Sequence, residues 1–268
     1  MSLPARITLA PSVRPIGGLL AAARPIGGEW WRGVTFSSPV CAVPQTFGGC
    51  DNSDTSGGFA KEYQRPSTVQ TFESFGVLQA IECSTMGRTN VSELAEQSLD
   101  VTREFAVARE LLTGIASGNP SLASAVTVGV ATDPVAALGC LDQAAAENLS
   151  GRLAYIHASP AIGNAWLAAN AIWRDGRLWR TSLGSVVVVA AGYDGRAPGG
   201  DAPAPGASLY AYATSEVYAE VGQRETRNTV DRAVNTAQAW SEEAAIVVFD
   251  PCYVAAIDTQ VELCAEVS

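Results

Sequence analysis

Histidine occurs once in the 268 residues, at His157. That excludes multi-histidine zinc sites and facial triads within one chain. Any serine or cysteine triad has to run through His157 alone. Lysine also occurs once, at Lys61, so arginine supplies nearly all of the basic charge. With Ala, Gly, Val, Pro and Arg all abundant, genome composition accounts for that shortage. The six cysteines (Cys41, Cys50, Cys83, Cys140, Cys252 and Cys264) contain no Cys-x-x-Cys pair, so no metal knuckle is expected. Cys41 and Cys50 flank a Gly- and Pro-containing loop and have the spacing to bridge, but scattered cysteines in a chain this long read by default as buried thiols. There is no Gly-x-Ser-x-Gly elbow, no Walker phosphate loop and no Gly-x-Gly-x-x-Gly after a strand. No metal, cofactor or catalytic residue is therefore expected.

Long apolar runs are missing too. Nothing approaches the roughly 20 consecutive apolar residues of a membrane span. Leu19–Ala23 is too short for a signal-peptide core, and Pro25 and Gly27 interrupt its continuation. The expectation is a soluble protein made in a cytoplasm, in which the sequons at Asn90 and Asn148 carry little weight. The formal charge of −10 argues against a surface built to bind nucleic acid. The apolar share of 47% is that of a globular chain with a sizeable core.

What is present is an ordered series of segments. Residues 1–40 are rich in Pro and Gly and repeat Arg-Pro-Ile-Gly-Gly at Arg14–Gly18 and Arg24–Gly28. They read as an arm without regular structure, locally basic through Arg6, Arg14 and Arg24, with Trp30 and Trp31 as apolar anchors on a neighbouring subunit. Such an arm is expected to be dispensable for folding and needed for assembly. Residues 41–68 read as a long exposed loop, and Val69–Cys83 as strand. A helix is predicted from about Val91 to Ile115, with Leu94, Val101, Phe105, Ala108, Leu112 and Ile115 on one buried face. Asn90 and Glu93 make its capping box, and Gly118 lies beyond its end.

Asp133-Pro134 starts a second helix reaching about Asn148. Leu153–His157 reads as strand, Ser159-Pro160 starts a helix carrying Ile162, Trp166 and Leu167, and Asp175-Gly176 is a hairpin turn. Ser185–Ala191 is apolar throughout and so is predicted to be buried on both faces. Gly192–Ala207 reads as a surface loop. Strands are predicted at Leu209–Thr214, Glu216–Val221, Ala237–Phe249 and Tyr253–Val261. The order mixes helices and strands without strict alternation, so the fold class is α+β.

Two constellations invite a chemical reading. His157 ends a strand just before a helix cap, where a lone histidine is most simply a hydrogen-bonded structural residue. Glu242 and Glu243 suggest a carboxylate pair, but neighbours in a strand point to opposite faces and cannot act on one group. They read instead as charge at the entrance of a buried strand, Ala244–Phe249, that closes on Asp250-Pro251.

The order of arm, long loop, long helix and mixed domain, with Gly176, Leu178, Gly184, Val187 and Val188 in sequence and then Asn235, Glu242 and Glu243 before an apolar strand and Pro251, resembles the major capsid proteins of tailed bacteriophages. Encapsulin shells share that fold. The resemblance implies an N-terminal arm (1–40), an extended loop (41–68), a peripheral domain built on the spine helix (69–130, completed by 209–268) and an axial domain (131–208). It implies hexamers and pentamers of the chain itself, other virion proteins as partners, and double-stranded DNA against the inner face; no membrane is involved. The alternatives are an encapsulin-like compartment or another virion component, such as a tail or decoration protein. One family member joins its subunits through a lysine, an asparagine and a glutamate, and the corresponding residues here are Lys61, Asn235 and Glu242. That chemistry needs a lysine deprotonated by burial and a carboxylate to take its proton. An Arg-rich, Lys-poor composition would also fit a phage of a GC-rich host.

Overall fold

The computed structural model describes residues 17–36, 69–84, 90–149, 152–231, 233 and 235–263. Lys61, Cys41, Cys50, Cys264, the first copy of the Arg-Pro-Ile-Gly-Gly repeat up to Ile16 and all of the expected extended loop (41–68) lie outside them. In chain order the elements are α1 (Leu19–Ala22), β1 (Val34–Phe36), β2 (Gln70–Phe72), β3 (Phe75–Ser84), α2 (Val91–Thr113), β4 (Val126–Val130), α3 (Pro134–Asn148) and β5 (Tyr155–Ala158). They continue with α4 (Pro160–Ala168), β6 (Ile172–Asp175), β7 (Leu178–Thr181), β8 (Val186–Val189), β9 (Ser208–Thr214), β10 (Val217–Val221), β11 (Glu225–Asp231), β12 (Thr236–Phe249) and β13 (Val254–Glu262).

Two sheets organise the chain. In the first, β12 is central. On one side it pairs antiparallel with β11 and then, further along its length, with β10; on the other it pairs with β3. From Ala239 to Ala244 its residues alternate between buried and half-buried, and they are buried continuously from Ala245 to Phe249. The second sheet has the order β4-β13-β9-β5-β8-β7-β6. Its central strands serve two cores by alternation. Tyr155, Val186, Val188, Tyr212 and Ala256 face the core shared with α2 and the first sheet. Ile156, Ala158, Val187, Ala211, Ala213, Ala255 and Ile257 face α3 and α4. This is why the run at Val186–Val189 needs no polar face. The same strands also cut across the expected domain boundaries: β4, β9 and β13, assigned from sequence to the peripheral unit, hydrogen-bond into one sheet with β5–β8.

Local signals account for the helices. Asp133 caps α3 by accepting from the backbone N–H groups of Val135 and Ala136, both at 2.9 Å, which holds its carboxyl below the usual range. The indole N–H of Trp166 on α4 donates to Pro134 O at 2.7 Å and ties the two helices together. α2 is 23 residues long, roughly 35 Å. It ends on Gly114 in the left-handed region (φ 63°), four residues before the glycine expected to lie past its end. Asn90 makes no side-chain bond to the helix backbone but bonds the Glu93 carboxylate, so the expected capping box is not formed as such.

Four expectations are corrected. The segment 17–36 is not an unstructured arm: it forms α1, a 3₁₀ turn at Trp30–Arg32 and β1, and buries Leu19, Ala22 and Trp30 in the chain's own core. The loop after β8 begins as core, with Gly192 and Tyr193 buried. A Cβ on Gly192 would come within 2.4 Å of Phe105 O and 2.7 Å of Arg109 N, so the loop lies directly on the backbone of α2. The cysteines are not all buried thiols: Cys140 is exposed, Cys83 is half-buried, and Cys252 is disulfide-bonded. Finally, only part of the predicted apolar face of α2 is buried. Ala108 and Leu112 are in the core, but Val101, Phe105 and Ile115 are 59%, 49% and 79% exposed.

Candidate assembly surfaces

His157 is fully buried on β5 and both ring nitrogens are engaged. Nε2 lies 3.0 Å from Thr214 Oγ1 and Nδ1 lies 3.0 Å from the Tyr193 hydroxyl. Thr214 donates its hydroxyl proton to Ser215 O, so it accepts from His157. The network therefore assigns the proton to Nε2, and Nδ1 accepts from Tyr193. Burial lowers the histidine pKa to about 3. The residue is a neutral core group, with no free nitrogen to act as a base.

That burial has a pH signature. Between pH 6.5 and about 3 the unfolded chain binds a proton at His157 and the folded chain does not. Its contribution is complete above pH 6.5 and is lost as pH falls, at a limiting slope of about 1.4 kcal/mol per pH unit. His157→Gln should lower stability at pH 7 yet flatten its decline between pH 6.5 and 4, as read by urea unfolding at a series of pH values. Parallel declines in the two proteins would contradict the buried neutral ring.

Glu242 and Glu243 separate as strand geometry requires. Glu243 is buried beneath α2, where its carboxylate bonds Arg103 at 3.1 Å and Arg224 at 2.8 Å. Arg224 also binds Asp100 on α2. This hydrogen bond lowers the Asp100 pKa and raises that of Arg224. The cluster pins the spine helix to the central strand. Glu242, on the other face, is half-buried, with Glu225 and Leu78 as its strand neighbours.

Asn235 sits in the turn between β11 and β12 at φ 54°. Asparagine tolerates that conformation better than most residues, which is a structural reason for its presence. Seven residue steps, about 23 Å of extended chain, separate it from Glu242 within one chain. The structure does not bring the two together, and Lys61 lies outside the described residues. Of the two expected anchors, Trp30 is 7% exposed and packs edge-on to Trp31 and against Gly222, inside its own chain. Trp31 is 52% exposed and remains available to a neighbour.

The surface carries two depressions with partly apolar linings. A groove of about 550 Å³ runs between β3 and α2, lined by Phe75, Val77, Leu78, Phe105, Ala106 and Ile115. Its exposed rim is made of Leu78 on β3, Phe105 on α2 and Ile115 just past the end of that helix. Sequence periodicity found Phe105 and Ile115 but placed them on the buried face of the helix. A second cleft, of about 620 Å³, lies where residues 22–36 meet the seven-stranded sheet, with Arg24, Arg152 and Arg180 around Leu153, Leu178 and Val186. Among the described residues no cluster of His, Cys, Asp and Glu could hold a metal ion, and no helix is long and apolar enough to cross a membrane.

This architecture is that of shell-forming proteins: the chain has the capsid fold shared by phage shells and encapsulins. In particular, it is similar to the capsid of a native GTA particle computed with C5 symmetry, with a TM-score of 0.60 and 11% identity over 99% of this chain and 96% of that one. It is also similar to a structure from Gordonia phage Cozz (TM-score 0.54, 14% identity, 98% and 92% covered). A third likeness is to the SrpI encapsulin of Synechococcus elongatus (TM-score 0.53, 12% identity, 98% and 95% covered). At these identities the likeness is one of fold. No family model matches the sequence, and neither does any curated protein.

Proposed function

We propose that this chain is the self-assembling subunit of an icosahedral shell, the major capsid protein of a tailed phage, built as hexamers and pentamers around double-stranded DNA. The observation that carries the reading is coverage. The likeness to the GTA and Cozz structures covers 98–99% of this chain and at least 92% of theirs, so it extends over the whole fold and not over one part of it. The exposed apolar groove between β3 and α2 supports it, because a face of this kind on an isolated chain marks an interaction site. On this reading the groove, Trp31 and the loop 41–68 belong to contacts between copies, and several weak contacts at once give the shell its stability. The acidic net charge is compatible with enclosed DNA because the wall confines it without binding it.

The encapsulin-like reading keeps a place because that fold is matched over 98% of the chain as well. Contents separate the two. Particles recovered from the cells that make this chain should yield nuclease-resistant DNA of discrete length, localised with the other virion proteins. Particles holding protein cargo and no DNA would reverse the choice. On this reading the subunits assemble without a covalent bond between Lys61 and Asn235.

A further inference from the structure

The two outer strands of the seven-stranded sheet are unlike each other in a complementary way. β4 pairs with β13 alone among the described residues. Val126, Val128 and Val130 on it are 71%, 42% and 68% exposed, and Ala125–Ala131 contains no charge. Isolated proteins protect such an edge with charge or cover it. Val128 is a bulge residue, because Thr127 pairs with Ala256 and Gly129 with Ile257. The bulge interrupts the ladder, so what β4 offers is apolar side chains rather than a template for a new strand. The rim beside it is acidic, with exposed Asp133 following β4 and half-buried Asp258 paired with Val130.

At the opposite edge, Trp173 on β6 is 51% exposed, and its indole N–H is satisfied within its own hairpin by Thr181 O at 3.3 Å. The ring is therefore free to serve as an apolar anchor. The neighbouring rim is basic: Arg174 and Arg177 are exposed, and neither has an ion-pair partner among the described residues. The two edges cannot meet within one chain, being six strand spacings, about 29 Å, apart. Two different complementary patches on one molecule define a head-to-tail contact, which closes into a ring when the rotation allows.

We propose that the β4 edge of one copy packs against the β6–β7 hairpin of the next. Val126, paired with Ala255, and Val130, paired with Asp258, lie on opposite faces of the sheet because of the bulge. They flank the edge from its two sides with Val128 between them where Trp173 docks, and Asp133 and Asp258 face Arg174 and Arg177. This contact makes the ring from which the shell is built. The proposal rests on the shell-subunit reading and adds its partner surface.

Cysteine pairing tests it on the full chain in a Cys140→Ser background. Val126→Cys, Val128→Cys or Val130→Cys is combined in turn with Trp173→Cys and oxidised mildly. A disulfide requires Cα atoms within about 7 Å, so a bond between these edges can form only between copies. At least one pair should give a ladder reaching five or six copies on a non-reducing gel, absent from both single variants and removed by reductant. Val128→Asp, at an exposed site, should leave circular dichroism unchanged and reduce the yield of closed particles more than about tenfold. Normal particles from Val128→Asp, with no ladder from any pair, would overturn this contact and leave the shell reading intact. A wild-type chain that stays monomeric at high concentration, with no ladder from any of the cysteine pairs, would overturn both.

Discussion

Glu243→Ala is expected to destabilise the dissociated subunit by about 3 kcal/mol, whereas Glu242→Ala, one residue earlier, should change it by no more than about 0.5 kcal/mol. The two carboxylates are adjacent in sequence and differ only in the face of β12 they occupy. Removing Glu243 leaves Arg103 and Arg224, with side chains 17% and 25% exposed, facing each other beneath α2. Losing one partner of a buried pair costs more than the pair contributes, because the remaining charge stays desolvated. Asp100 still reaches Arg224, which places the cost at the low end of the usual range for broken buried pairs. Urea unfolding followed by tryptophan fluorescence reads the difference directly. Equal effects from the two substitutions would mean that the cluster does not anchor the spine helix.

The second large effect concerns the N-terminus. Deleting residues 1–16 should leave a soluble fold, whereas deleting 1–36 should abolish it. The longer deletion removes Leu19 and Trp30 from the core, at about 2–5 and 3–5 kcal/mol respectively, against a total margin of about 5–15 kcal/mol. It also removes the backbone pairing of Arg24 with Val217 and Ala219, and the bond from Val189 N to Gly17 O that ties the segment to β8. Trp30→Ala alone gives a graded version, about 3–5 kcal/mol in the same unfolding assay. A soluble, cooperatively folded chain lacking 1–36 would restore the picture of a dispensable arm.

The contrast between those segments shows what the sequence made legible. The central strands were readable because their burial is written in composition: Val186–Val189 has no polar face, and Ala244–Phe249 follows an alternating stretch into continuous burial. The cap at Asp133 and the turn at Asp175-Gly176 were readable because local chemistry decides them. β11 was missed because its seven residues are almost all exposed; it is a strand only through its hydrogen bonds to β12. Residues 17–36 were misread because Pro and Gly exclude long regular elements but say nothing about whether short ones dock into a core. The apolar stripe of α2 was found, but its division between an internal and an external face depends on how much of it β3 and β12 cover. Of the candidate residues, strand alternation correctly separated Glu242 from Glu243, and the lone histidine is the structural group it was expected to be. The capsid fold was read from the order of segments, and the likeness to the GTA and Cozz structures covers 98–99% of the chain, although the arm is corrected and the extended loop lies outside the described residues.

The most direct test of the central claim is electron cryo-microscopy of the full chain purified without partners. The account predicts closed particles with five-fold vertices, in which the chain traces as here and the β4 edge and the α2 groove are covered by neighbouring copies. A monodisperse monomer at high concentration, with Val126, Phe105 and Ile115 still facing solvent, would contradict it.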